Sequence, residues 1–311
     1  MANFGRYVAT RLLLALPVFL GVSIVVFIIQ KITPGNPVVT ALGLSPNLTP
    51  AQLAYETQLL GLNSPVYVQY FKYIERLLQG NMGRSTFFNL PVSTLIEQAL
   101  PNTILLILAA MLIGVAIGIP LGTFSAFRNR AKVDGVIRIG SVFASSLPDF
   151  WIGLILALIF GYYLRLLPLA GFNNPQSLVL PAVTLGIGVA GVITRVTRST
   201  MMDVINTDFI RAARARGMPQ SMIMLKYALR NAILPVVTVM GLQFGYLLTG
   251  AFFVEYVFAW PGLGRLTVNA ITNLDFPLVQ GAILVVAIIY VLINLIVDIT
   301  YAYINPRVHL S

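Results

Sequence analysis

Two acidic residues lie within or beside apolar stretches, where a carboxylate could carry protons or bind a cation. Asp149 follows Pro148 in the segment SSLPDFW, and Glu255 lies near the end of another apolar stretch. An ionisable side chain at membrane depth is costly and often belongs to a transport pathway. The alternative for Asp149 is structural, with Pro148 breaking a helix and Asp149 capping the next turn. Glu255 is expected near the membrane boundary, and with Asp298 these acids are too few for a proton relay.

Residues for catalysis or cofactor binding are otherwise missing. The sequence has no Cys, and its single His is His309, which is expected to be solvated. No P-loop is present, so the chain itself is not expected to bind ATP, and no zinc-protease or serine-hydrolase motif occurs. We therefore predict no enzyme activity and no catalytic, cofactor-binding or metal-ligating residue in this chain.

A basic stretch, TDFIRAARARGMPQSMIMLKYALRNAILP (residues 207–235), contains four Arg, one Lys and one Asp. Thr207 and Asp208 are both good N-caps, and an acid suits the positive end of a helix dipole. The Ala-rich segment Phe209–Arg216 favours a helix, and Gly217 suits the position after its end. The stretch therefore predicts a short capped helix.

Two interpretations of this short helix remain open, a solvated loop and a docking element. Ala212 and Ala213 would allow another backbone to come close, and Phe209 and Ile210 would add apolar contact. Arg211 and its basic neighbours offer charge complementarity. The segment is too short and too Ala-rich for a free interfacial helix, which needs a continuous apolar face. Insertion into a cleft on a cytoplasmic protein is the favoured interpretation.

The composition is that of an integral membrane protein. Of 311 residues, 58% are hydrophobic and 10% are charged, against about 25% charged in soluble domains. We predict an all-α protein with six transmembrane helices at 12–30, 102–127, 139–164, 180–194, 234–254 and 278–303. The connecting segments are 1–11, an extracytoplasmic helical region at 31–101, and 128–138, 165–179, 195–233, 255–277 and 304–311. Within 195–233, a second helix is expected from Pro219 to about Asn231, and Pro235 would open the fifth span.

Basic residues are concentrated on one side of this predicted bundle. Fourteen of the 20 Lys and Arg residues fall in segments 1–11, 128–138, 195–233 and 304–311. Short cytoplasmic loops collect Lys and Arg, so both termini and the basic stretch are predicted to be cytoplasmic. The net charge of +10 then follows mainly from topology and requires no nucleic-acid partner. The first apolar run is too long for a signal peptide and is expected to be a retained span.

The extracytoplasmic region is too long for a plain loop. Thr49 and Pro50 predict a helix start, with an end near Leu60. A second helix is predicted at Val66–Gln79, with an apolar stripe of Val66, Tyr70, Tyr73 and Leu77. These helices could form a contact surface for an external partner or substrate, or a structural cap over the bundle.

The second predicted span carries Gly114, Gly118 and Gly122. Small residues at intervals of four allow helices to approach closely in lipid. We interpret them as a packing ridge, either within the chain or toward another subunit.

Several motifs together carry a resemblance to a known family. Ala212-Ala213-x3-Gly217 followed by Ile233-Leu234-Pro235 resembles the EAA loop of ABC importer permeases. Motifs in the same order and spacing as in the first permease subunit of dipeptide and oligopeptide importers extend over nearly the whole chain: PGNP (34–37), LGLNSP (60–65) with QY (69–70), GNMGRS (80–85), LPNT (100–103), PGLGRL (261–266) and DFP (275–277). The chain departs from the family pattern at Arg211, where the family has Glu, and at Asn36 and Asn81, where Asp is expected.

The resemblance implies a type I ABC importer permease in a prokaryotic inner or plasma membrane. It implies a second homologous permease, two ATPase subunits that hold ATP and Mg, and an extracytoplasmic solute-binding protein. Asp208, Phe209, Arg211, Ala212, Ala213 and Gly217 would form the loop that couples ATP hydrolysis to transport. The expected substrates are di- or oligopeptides, with nickel, glutathione or oligosaccharide as alternatives. A secondary transporter is the remaining alternative, but no internal repeat supports it.

Overall fold

The computed structural model describes residues 2–32, 49, 64–127 and 132–304. The expected helix after Pro50, the departure at Asn36, and His309 lie outside the described residues. Helices in the described part are α1 (Ala2–Ile32), α2 (Val66–Leu78), α3 (Val92–Phe127), α4 (Lys132–Ser146), α5 (Asp149–Tyr163), α6 (Val179–Ile205), α7 (Asp208–Ala215), α8 (Gln220–Val257), α9 (Leu263–Thr272) and α10 (Phe276–Ile304).

Four of the described helices, α3, α6, α8 and α10, are each long and apolar enough to cross a membrane. The pair α4 and α5 has the composition of a fifth span, bent by 103° at a short break. In α1, the described apolar part is the shorter segment Leu16–Ile29. The structure therefore provides four straight spans and one broken one, with α1 as the candidate for a sixth.

The break between α4 and α5 falls at Pro148, where the structural interpretation of the sequence placed it. Pro148 has an extended backbone, and α5 starts at Asp149. A proline disfavours the helical conformation for the residue before it and removes a backbone donor, which favours the end of α4 at Ser146. The last part of α5, Ala157–Tyr163, is wound more widely, as a π-helix.

The glycine ridge of α3 packs against α6 inside this chain, which confirms one of its two expected roles. Gly114, Gly118 and Gly122 are all buried. A Cβ atom built on Gly118 would lie only 2.7 Å from Cβ of Ile193 in α6. Glycine is therefore required for the two backbones to approach this closely.

Several helices run further than the predicted spans, among them α6 and α8. α6 continues past residue 194 to Ile205, and its Arg198 reaches α4, where Nε and Nη2 lie 2.7 and 2.9 Å from the oxygens of Asp134. The expected end of a helix near Asn231 is not observed, because α8 runs unbroken from Gln220 and contains Pro235. Proline is tolerated inside membrane helices, where neighbouring groups satisfy the freed carbonyl.

The helix predicted at Val66–Gln79 is present as α2. It ends at Leu78, with Gln79 as C-cap and Gly80 at a φ of 77°. Tyr70 and Tyr73 pack on Phe27 of α1, with ring centroids 5.4 and 5.7 Å away. α2 is thus attached to the end of α1.

Candidate functional site

The short helix α7 is closed at its C-terminal end by a Schellman motif. Gly217 has a φ of 71°. Its amide donates to the Arg214 carbonyl at 3.0 Å, and the Met218 amide donates to the Ala213 carbonyl at 3.3 Å. These two bonds satisfy carbonyls that a helix end otherwise leaves open. The predicted helix end at Gly217 is therefore observed.

The N-terminal end of α7 is built differently from the expectation. Thr207 occupies the N-cap position, but its hydroxyl donates to the Val204 carbonyl of α6 at 2.5 Å. Asp208 is the first residue of the helix, where its charge favours the helix dipole. Its Oδ1 also accepts from Nη1 of Arg211 at 3.1 Å, in an exposed ion pair.

One face of α7 is anchored in the chain's own core. Ile210 is fully buried and Ala213 is 7% exposed. The core cluster around them joins residues of α3, α6 and α8: Ala126, Met201, Ile223, Met224, Ala228 and Ala232. α7 therefore contacts α6 and the π-helical segment Ile223–Ala228 of α8, and it shares one core cluster with Ala126 of α3.

The opposite face of α7 is open. Phe209 is 46% exposed, and Asp208, Arg211, Ala212, Arg214 and Arg216 are also exposed. The structure thus separates the alanine pair that the sequence treated as one surface. Ala212 is accessible, whereas Ala213 faces inward, because only residues spaced by three or four share a helix face. Ala213 cannot contact another protein without displacing this core.

A polar cluster lies beside this anchored face and was not recognised in the sequence. Asp134 of α4 pairs with Arg198 of α6 and also accepts a hydrogen bond from the Ser125 hydroxyl of α3. Ser125 adjoins Ala126, which belongs to the core under α7. Arg198 was counted only as a basic loop residue because its partner is 64 positions away.

Asp149 lies at the helix break, buried between α6 and α8. Its Oδ2 accepts a hydrogen bond from the Tyr246 hydroxyl at 2.8 Å, while Oδ1 is buried and has no hydrogen-bond partner among the described residues. Gly188 and Gly250 leave space for the carboxylate, since a Cβ on Gly250 would lie 2.8 Å from Oδ2. The side chain therefore joins α5 to α8 and does not cap its own turn, although it remains in the first turn of α5.

Glu255 is completely enclosed at the end of α8. Its carboxylate accepts hydrogen bonds from the Thr103 hydroxyl of α3 at 2.6 Å and from the amides of Gly264 and Arg265 at 2.7 and 3.2 Å. The Thr103 hydroxyl in turn accepts from the Leu263 amide at 2.7 Å. Glu255 thus holds the first turn of α9, where a negative charge is favourable, against the start of the predicted second span.

Asp275 plays a comparable part and was not singled out from the sequence. It is fully buried and accepts hydrogen bonds from the Ser85 hydroxyl and from the amides of Thr86 and Phe87. Its partners lie in or next to the motif GNMGRS, while Asp275 itself opens the motif DFP. In the same way, LPNT meets PGLGRL through Thr103 and Glu255. These four motifs form two contacting pairs at the α9 end of the molecule, at the opposite end of α8 from α7.

Within the described ranges, no three His, Asp or Glu side chains form a group that could hold a metal ion. The polar side chains of interest form two kinds of arrangement. Buried carboxylates join segments distant in sequence, and an exposed basic helix stands at the opposite end.

Comparison with known families identifies the class of this membrane protein. The family model described as "Binding-protein-dependent transport system inner membrane component" matches residues 118–310, and its N-terminal companion matches residues 4–107. The chain therefore belongs to the family of binding-protein-dependent transport system inner membrane components. It is a permease component of an ABC importer, in which the ATPase sites are on other subunits.

Curated relatives match over almost their full length. The oligopeptide transport system permease protein AppB of Bacillus subtilis (strain 168) is 38% identical, over 98% of this chain and 99% of the relative. The glutathione transport system permease protein GsiC of Salmonella typhimurium is 40% identical, over 97% and 98%. The dipeptide transport system permease protein DppB of Alkalihalophilus pseudofirmus is 38% identical, over 97% and 98%.

A solved structure supports the fold. An inward-facing form of the MetNI methionine ABC transporter aligns with a TM-score of 0.57 at 20% identity, covering 68% of this chain and 96% of that one. This chain accordingly has the type I ABC importer permease fold that the sequence motifs implied.

Proposed function

We propose that this chain carries di- or oligopeptides inward across a prokaryotic inner or plasma membrane as one of two homologous permeases. The partners in this proposal are a second permease, two ATPase subunits that bind ATP and Mg, and an extracytoplasmic solute-binding protein. The substrate class is supported by the relatives named for oligopeptide, dipeptide and glutathione transport. Glutathione is itself a small peptide, so the substrates named for these relatives are all peptides. Nickel and oligosaccharides belong to other chemical classes.

In this proposal, α7 docks on one of the ATPase subunits. The observation that carries it is the two-sided construction of α7. Ile210 and Ala213 anchor the helix in a core that α3, α6 and α8 share, while Phe209 and Ala212 remain open to a partner. A displacement of α7 would pass through this core to the spanning helices, because packed cores transmit displacement with little compression.

The proposed orientation places α7 and both termini in the cytoplasm. The distribution of Lys and Arg supports it, since fourteen of 20 lie on the α7 side of the predicted topology. Glu255 and Asp275 then hold the extracytoplasmic loops. We assign Glu255 and Asp149 structural roles, because each joins segments that are far apart in sequence.

Cysteine cross-linking tests the docking of α7. The chain contains no Cys, so Ala212→Cys introduces a single thiol on the exposed face. In the assembled transporter, a short bifunctional reagent should link it to an ATPase subunit carrying a single thiol in its docking groove. Ala213→Cys is the matched control, with the same substitution one position along, and should link poorly because its side chain is buried. Equal yields at both positions, or none at Ala212, would contradict the proposal.

Transport assays test the energy source and the substrate separately. Proteoliposomes that hold the complete transporter should accumulate peptide only when ATP is present on the side of the membrane where the ATPase subunits lie. Peptide accumulation by this chain alone under an ion gradient would show a secondary transporter instead. Calorimetric titration of the cognate solute-binding protein with peptides, glutathione and nickel would identify the substrate, and selective binding of nickel would overturn the peptide assignment.

A further inference from the structure

The helix α2 has two apolar stripes, and the described residues cover only one of them. The covered stripe contacts α1 through Tyr70 and Tyr73. The second stripe follows a spacing of three and four residues and consists of Tyr67, Phe71, Ile74 and Leu78, of which Ile74 is half-buried and the other three are exposed. Tyr67, Phe71 and Leu78 are 66%, 68% and 79% exposed. Lys72, Glu75 and Arg76 form the remaining, polar face.

The contacts with α1 fix the depth of α2 relative to the membrane. The uncharged run of α1 ends at Gln30, where Lys31 follows. Tyr70 packs on Phe27, and its hydroxyl forms a 2.8 Å hydrogen bond with the Ser23 hydroxyl. At about 1.5 Å per residue, Phe27 and Ser23 lie about 4.5 and 10 Å inside the end of that run. α2 therefore lies against a part of α1 that falls inside the predicted first span.

Charged side chains at the end of α1 and on the polar face of α2 indicate the position of the membrane–water boundary. Lys31 Nζ donates to Gln69 Oε1 and lies 5.8 Å from the Phe27 ring centroid. Lys72 and Arg76 are exposed on the polar side of the helix. Interfacial helices bury an apolar face by about 5–10 Å and keep a basic face in water, which matches the depth set by Ser23 and Phe27.

We propose that α2 lies in the lipid interface and that Tyr67, Phe71, Ile74 and Leu78 insert into the acyl boundary of the bilayer. The occupant of the uncovered stripe is therefore lipid. Tyrosine suits this position because its ring is apolar and its hydroxyl can reach the head groups. The anchor would hold the segment after the predicted first span close to the membrane, whatever substrate the transporter carries.

Site-directed spin labelling tests the anchor in a chain that has no cysteine of its own. Phe71→Cys and Leu78→Cys place nitroxides on the uncovered stripe, and Lys72→Cys and Glu75→Cys are matched controls on the polar face. The full-length chain is reconstituted in vesicles of phosphatidylethanolamine and phosphatidylglycerol. Collision rates are then measured with oxygen, which concentrates in lipid, and with a water-soluble nickel chelate.

The ratio of oxygen to nickel collisions should be about tenfold higher at Phe71 and Leu78 than at Lys72 and Glu75, given the depth of an interfacial helix. An equal ratio at all four positions would place the stripe in water and overturn the proposal. Shielding of Phe71 and Leu78 from both reagents would also overturn it, because the stripe would then be covered by protein. Tyr67→Cys supplies an independent third position if either label disturbs the helix.

Discussion

Replacing Gly217 with valine should uncouple ATP hydrolysis from transport. Gly217 has a φ of 71°, and a Cβ built on it would have none of the described atoms within 4 Å. The added Cβ therefore causes no clash, and the expected cost comes from the backbone conformation. A residue other than glycine loses about 1–2 kcal/mol in this left-handed conformation, and a β-branched residue is disfavoured further.

This strain shifts the equilibrium between the capped and the opened C-terminal end of α7. A cost of about 1–2 kcal/mol lowers the population of the capped helix end about 5- to 30-fold relative to the opened one. Opening breaks the hydrogen bonds from the Gly217 and Met218 amides and releases Ala213 from its fixed orientation. Asparagine, which tolerates φ > 0 better than other residues, should have the smallest effect, followed by alanine and then valine.

The assay is the number of ATP molecules hydrolysed per peptide imported in proteoliposomes that hold the complete transporter. The ratio should rise in the order wild type, Gly217→Asn, Gly217→Ala and Gly217→Val. Gly80→Val is the matched control, because Gly80 also has a positive φ of 77° and an open Cβ position, but at the end of α2. It should leave the ratio unchanged.

Hydrogen exchange of the amides at residues 217 and 218 measures the opening of the helix cap independently of the coupling between ATP hydrolysis and transport. Fast exchange of both amides in Gly217→Val would show that the cap has opened. An unchanged ratio of ATP to peptide in that same variant would refute the role given to the capped helix. A rise of the same size in Gly80→Val would show that the effect is not specific to α7.

Two further changes test the packing that supports this site. Thr103→Val removes the hydroxyl shared by Glu255 and an amide of α9, and should lower the stability by about 1–3 kcal/mol for each buried group left unpaired. Thermal unfolding of the purified protein measures this loss, and Thr103→Ser, which keeps the hydroxyl, should restore most of it. Gly118→Val drives a side chain toward Ile193 and should cost about 1–3 kcal/mol or separate α3 from α6, also measured by thermal unfolding. Gly140→Val has open space around its Cβ, so a comparable loss there would contradict the close-packing argument.

Features set by a few consecutive residues were accessible from the sequence. The helix break at Pro148, the cap at Gly217 and the extent of α2 each follow from the steric preferences of proline and glycine. The glycine ridge of α3 was recognised in the same way, from spacing alone. Such rules act within one or two turns, so no knowledge of the tertiary contacts was needed.

Features that depend on distant partners were not accessible. The side chain of Asp149 meets Tyr246, 97 positions away, and Glu255 meets Thr103, 152 positions away. The orientation of α7 was missed for a related reason. Ile210 and Ala213 are three positions apart and share one face, but the neighbouring Phe209 stays exposed and Ala212 lies on the open side. Which part of the helix turns inward is decided by the core formed from α3, α6 and α8.

The division between Ala212 and Ala213 has a consequence for how this loop changes during evolution. Under the proposed docking, a larger residue at Ala212 must be matched by a change in the groove of another gene's product. A larger residue at Ala213 must instead be accommodated by neighbours such as Met201 or Met224 on the same chain. Paired sequences of permeases and ATPases should therefore show covariation between proteins at the first alanine and within one protein at the second.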